Sequence, residues 1–157
     1  MTRAVEIIAH YPEDADAVFR RALQGEEMLE AMRGLAVYHG FPEKEVQEGD
    51  RFSVDVTFLG LFTTRNHVMN VVRLDREKRL LESEEHNPSI NRWDHTLSVT
   101  PTPDGCRWVD RIIVDAGWKT PLVARFCRFV YLRRHKLRNG RIEQASISRN
   151  EPRPDQR

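Results

Sequence analysis

The chain has 157 residues and a mass of 18.4 kDa, the size of one domain. Size scaling buries roughly two thirds of the unfolded surface, so a core forms without disulfide staples. Hydrophobic residues make up 39% and charged ones 31%, which excludes a disordered chain, and a net charge of +1 gives no overall bias toward nucleic acid.

The segment from Ala4 to His10 alternates branched and polar residues and reads as a strand, not as the apolar run of a secretion signal. Pro12 and the acidic Glu13, Asp14 and Asp16 then mark a helix start, where negative charge complements the dipole. Ala17, Val18, Ala22 and Leu23 carry the helical spacing, and Gly25 interrupts it. Met28, Leu29 and Met32 predict a second short helix ending at Gly34. From Leu35 to His39 the period changes to two. Arg51 to Leu59 alternates most cleanly, with Phe52, Val54, Val56 and Phe58 on one face. Asn66 to Leu74 and Arg79 to Glu85 are strands joined by the charged turn Asp75, Arg76, Glu77, Lys78. Arg92 to Thr100 and Cys106 to Asp115 form a hairpin around Asp104-Gly105, a strong turn pair. Thr120 is the expected N-cap of a last helix, with Pro121 at its first position. Leu122, Phe126, Phe129, Val130 and Leu137 share a stripe on this helix, and Asn139-Gly140 ends it.

One strand, two short helices, six strands and one long helix predict an α+β domain. Its curved seven-stranded antiparallel sheet would grip the last helix. The domain is expected to span residues 1–147, with a disordered tail over 148–157 (SRNEPRPDQR).

The order of elements over about residues 3–140 resembles the helix-grip superfamily, also called Bet v 1-like, START-like or SRPBCC. Bacterial members commonly carry a Pro, then Trp-x-His on a strand and, after a turn, an Asp on the next strand. A long helix rich in Phe and Arg follows. This chain shows Pro88, Trp93-Asp94-His95, the Asp104-Gly105 turn, Val109-Asp110-Arg111 and the run FCRFVYLRRHKL from Phe126 to Leu137. Where members have a Pro-Gly-rich connection before that helix, this chain has Gly117-Trp118-Lys119-Thr120-Pro121. The resemblance implies a helix-grip fold. It leaves function broad, from carriers of hydrophobic ligands to polyketide cyclases, lipid-transfer domains and co-chaperones.

Register decides which side chains face the concavity. An even-length turn at Asp104-Gly105 puts Trp93, His95, Leu97 and Val99 on one face with Trp108, Asp110, Ile112 and Val114. His95 and Asp110 are then polar residues on an apolar surface, where an ionised Asp needs a partner. Three roles stay open for the pair: a structural hydrogen bond, a patch that orients a ligand, or an acid/base couple. The expected pocket lining is Phe52, Val54, Val56, Phe58, Trp93, His95, Leu97, Trp108, Asp110 and Ile112. Phe126, Phe129 and Val130 form the opposing wall.

Glu82, Glu84 and His86 alternate on one strand face near His67. This pattern reads as a solvated surface, and no metal is expected. Cys106 and Cys127 lack metal-ligand spacing and read as free thiols of a cytoplasmic protein. Phosphate-binding glycine loops and nucleophile elbows are absent, and no cofactor is expected.

The leading expectation is binding of a small hydrophobic or amphipathic molecule between sheet and helix. A cyclase/aromatase-like enzyme using His95 and Asp110 is one alternative. A second is an interaction module acting through the eight basic residues between Lys119 and Arg141, with a membrane surface the less favoured partner. Leu59, Leu61 and Phe62, beside Gly60, would cap the cavity mouth or serve a homodimer contact. No nucleic-acid partner is expected.

Overall fold

The computed structural model describes residues 1–149. Strand β1 (Arg3–Tyr11) is followed by helices α1 (Ala15–Ala22) and α2 (Gly25–Met32). Strands β2 (Ala36–His39), β3 (Arg51–Phe58), β4 (Phe62–Asp75) and β5 (Leu80–Asn87) come next. They are succeeded by β6 (Ile90–Thr102), β7 (Gly105–Asp115), the long helix α3 (Thr120–Leu137) and β8 (Arg141–Arg149). All eight strands form one antiparallel sheet in the order β2-β3-β4-β5-β6-β7-β1-β8. This is the helix-grip architecture, with α3 lying against β1, β7 and β8.

The sheet has one strand more than the sequence predicts, and the expected boundary at residue 147 falls inside β8. Ser148 pairs with Ala4 and Arg149 with Arg3, while positions 150–157 of the expected tail lie outside the described residues. The signal of β8 is weak for a physical reason. It is an edge strand with mostly exposed side chains, and the register shifts between Ile8 and Ala9. Ile142 and Ala145, which pack on the core, consequently sit three apart instead of two.

The hairpin that sets the site's register keeps the expected faces, but its turn is Pro103-Asp104 and Gly105 already belongs to β7. Thr102 pairs with Gly105 across a two-residue turn, and His95 faces Ile112, Leu97 faces Asp110 and Val99 faces Trp108. Acidic residues open α1, where the Asp14 side chain accepts from the Ala17 N–H at 3.0 Å. Thr120 is not the cap of α3; that position is Lys119. The Thr120 hydroxyl donates instead to the Gly117 carbonyl at 2.7 Å and accepts from the Ala116 N–H at 2.9 Å, fixing the turn that delivers the helix.

The other end of α3 is stopped as Asn139-Gly140 predicts. Asn139 takes φ 59°, its N–H reaches the Lys136 carbonyl, and the Gly140 N–H reaches the His135 carbonyl at 2.8 Å. Gly140 is required sterically, because a Cβ there would sit 2.7 Å from the ring and hydroxyl of Tyr11.

Two apolar clusters fill the concave side. In one, Val18 and Phe19 of α1 and Leu23 at its C-cap plug an end of the sheet against Ala9, Tyr11, Leu97, Val99 and Trp108. In the other, Ala124, Cys127, Val130 and Tyr131 of α3 meet Val5, Ile7, Val54, Val56, Ile112 and Val114. Among the described residues no helix is long and apolar enough to cross a membrane.

Candidate functional site: a cavity under the long helix

Where α1 does not reach, the concavity stays open. A cavity of about 450 Å³ lies between β2–β6 on one side and α2 and α3 on the other. That volume is in the range of about 300–1,000 Å³ typical of small-molecule sites. The sheet contributes Val56, Phe58, Met69 and Trp93; α2 contributes Met28 and Met32; α3 contributes Leu122, Val123, Phe126 and Val130. Phe58 and Phe126 meet edge to face across it, with centroids 5.4 Å apart. The methionines give part of the wall adaptable shape.

The polar lining divides into two groups. On the sheet side, His67 faces Glu85 and Asn87, because Met69 pairs with Glu85 and Val68 with His86. Glu82, Glu84 and His86, the residues singled out from the sequence, therefore alternate on the opposite face. The Asn87 amide donates to His67 Nδ1 at 3.1 Å, so His67 Nε2–H donates to Glu85 at 2.9 Å. Glu85 accepts a second, longer bond of 3.4 Å from Ser83, and the Asn87 oxygen accepts the N–H groups of Ser89 and Ile90. This group is satisfied internally.

The second group is Tyr131 and Arg134 of α3, with Tyr38 of the edge strand β2. Burial pushes the Tyr38 hydroxyl up to about 12 and that of Tyr131 well above its ordinary value, so both stay protonated. The Arg134 guanidinium lies 5.0 Å over the Tyr131 ring. Its Nε is buried with no hydrogen-bond partner, and the side chain forms no ion pair among the described residues. Burial works against its charge, but the surroundings, with the carboxylates of Asp110 and Glu85 contributing, outweigh this.

Beneath the cavity runs a buried relay. Asp110, 2% exposed, accepts from Nε2 of both His95 and His135, each at 2.7 Å. Tyr11 Oη lies 2.6 Å from His135 Nδ1. Burial alone would raise the Asp110 carboxyl, but the bonds and charge of the two histidines outweigh it and hold it well below the carboxylate range. Burial also holds the Tyr11 hydroxyl protonated beside His135 Nδ1, while His135 Nε2–H donates to Asp110. Every member of this chain except His95 Nδ1 has a named partner, as a stable buried polar network requires.

Of the residues expected to line the pocket, Val56, Phe58, Trp93, Phe126 and Val130 do so. Val54 and Ile112 are core beneath it, and Leu97 and Trp108 belong to the end plugged by α1. Phe52 packs on Phe41, with centroids 5.6 Å apart, under Lys44. Phe129 points outward and is 53% exposed. His95 and Asp110 are together as the register predicts, but neither lines the cavity, and their third partner His135 was not foreseen. Its signal lay in the i, i+4, i+8 series Cys127, Tyr131, His135, all buried. The series Leu122, Phe126, Val130, Arg134 likewise carried an arginine onto the apolar stripe.

Several cations of the basic helix are spent inside the fold. Arg133 donates to the Ala31 and Arg33 carbonyls at the end of α2, Arg138 pairs with Glu27, and Arg128 donates to the Ala145 carbonyl. Leu59, Leu61 and Phe62 are exposed at the β3–β4 turn. Among the described residues no group of three or more His, Cys, Asp or Glu side chains gathers as a metal site.

An antiparallel sheet curved around a C-terminal helix, with two short helices after the first strand, is the Bet v 1-like, helix-grip fold. The fold is shared with Ara h 8.0201, at a TM-score of 0.62 and 8% identity over 87% of this chain and 97% of that one. It is also shared with protein CV1439 from Chromobacterium violaceum, at 0.64 and 11% over 85% and 92%. Norcoclaurine synthase from Thalictrum flavum, solved in complex with dopamine and hydroxybenzaldehyde, aligns at 0.56 and 14% over 84% and 86%. No curated protein matches the sequence. The family model described as "Domain of unknown function (DUF8410)" matches residues 27–140, and the chain belongs to that family.

Proposed function

We propose that this protein binds a small hydrophobic or amphipathic molecule in the cavity between the sheet and α3. The observation that carries this reading is the cavity itself, about 450 Å³ of space walled by aliphatic and aromatic side chains in a domain whose remaining concavity is packed. Burying an apolar ligand there is favourable by about 25 cal/mol per Å² removed from water. The complex of Thalictrum flavum norcoclaurine synthase with dopamine and hydroxybenzaldehyde supports small-molecule binding by this fold. A cyclase-like enzyme has less support. His95 and Asp110 are committed beneath the floor, and His67, at the cavity, has both ring nitrogens engaged.

Titration with Nile red, an uncharged dye, tests the reading. The wild-type protein should bind it with a fluorescence increase, and Thr64→Trp, which fills the cavity from β4, should abolish binding while moving Tm by less than about 3 °C. Equal binding by the folded variant would overturn the assignment of the site.

A further inference from the structure

The polar census of the cavity specifies its occupant more closely. On the sheet side the cluster around His67 is satisfied inside the protein: Asn87 donates to His67, His67 to Glu85 and Ser83 to Glu85. Around Arg134 the groups left over are donors. Its Nε is buried with no partner among the described residues, and Tyr131 of α3 and Tyr38 of β2 line the same cavity. A ligand acceptor meeting the terminal guanidinium nitrogens would give this charge a partner that the protein does not supply. Arg134 is also twelve residues from Leu122 along α3, about 18 Å at the helical rise. Leu122 is 70% exposed, so the cavity runs from an apolar rim toward the guanidinium.

We propose that the ligand is an amphiphile carrying a single carboxylate, which Arg134 receives as a two-pronged partner while the tail lies along Val130, Phe126 and Leu122. A carboxylate fits because the guanidinium presents parallel N–H donors in a planar fork. One negative charge suits the site better than two, because the Glu85 carboxylate lines the same cavity and would repel a dianion. This inference rests on the binding role proposed above and adds the chemistry of the head group.

The test is competition against bound Nile red by dodecanoate, methyl dodecanoate and dodecan-1-ol, which share a tail and differ at the head. Wild-type protein should prefer dodecanoate by about tenfold or more, the scale of one charge-assisted hydrogen bond. Arg134→Gln should bring the acid down to the affinity of the alcohol, so that the ratio of the two falls to about one. Arg134→Lys should keep part of the preference. Equal affinity for acid and alcohol in wild type, or an undiminished preference in Arg134→Gln, overturns the carboxylate assignment. Dye binding without displacement by any of the three also removes it and leaves the cavity role standing, whereas failure of the dye itself removes both.

Discussion

Replacing Asp110 with Asn probes whether the His95–Asp110–His135–Tyr11 chain holds the fold or serves the cavity. The carboxylate accepts two bonds of 2.7 Å from Nε2–H groups in a site 2% exposed. Each such bond to a charged group contributes about 1.5–3 kcal/mol. An Asn keeps one acceptor but turns an N–H₂ toward the second imidazole N–H, so one bond is lost and a buried donor is left facing another. The expected destabilisation is about 2–4 kcal/mol. In urea unfolding followed by tryptophan fluorescence, with a slope of about 1–3 kcal/mol/M, the midpoint should fall by on the order of 1–2 M. The effect should depend on pH in one direction. Because the folded carboxyl lies below its unfolded value, its contribution is complete above about pH 5 and fades as pH drops through and below about 4, where the unfolded chain takes up the proton first. The gap between wild type and variant should narrow accordingly. Nile red affinity should be unchanged in the folded variant. An unaltered midpoint at pH 7, or a gap that widens in acid, would refute the structural role; lost dye binding by a stable variant would return the pair to the ligand site.

Two further outcomes are expected. Gly140→Ala places a methyl 2.7 Å from Tyr11 and should cost about 1–3 kcal/mol, read as a lower Tm, with the loss reduced when Tyr11→Phe removes the hydroxyl it meets. Cys106 and Cys127 are both 0% exposed, and burial raises both thiols, so labelling by a thiol reagent should be slow in the native protein and complete in urea. Rapid labelling of native protein would contradict their burial.

The strands with strict alternation were legible because a one-residue slip would turn their whole apolar face to water. Arg51–Phe58 is the clearest case, and an even-length turn near Asp104-Gly105 is enough to put His95 and Asp110 on one face. The depth of each residue was not legible. Leu97 and Trp108 share a face with His95, yet α1 seals their end of the sheet, and helix placement is a tertiary property that no strand pattern encodes. Arg134 escaped notice because an arginine on a helix ordinarily reads as solvated; only its position four residues beyond Val130 hinted otherwise. The arginines around it were misleading for the same reason, since Arg133 and Arg138 spend their donors on α2.

The polar ties of α3 are unevenly distributed along its length. His135, Arg133 and Arg138 fasten its last turns to β7 and α2, whereas Thr120 holds its first turn only to the preceding Ala116 and Gly117. With Arg128 tying its middle to the Ala145 carbonyl, the helix is fastened progressively more firmly from Leu122 toward Arg138, so local opening is easiest at its first turns.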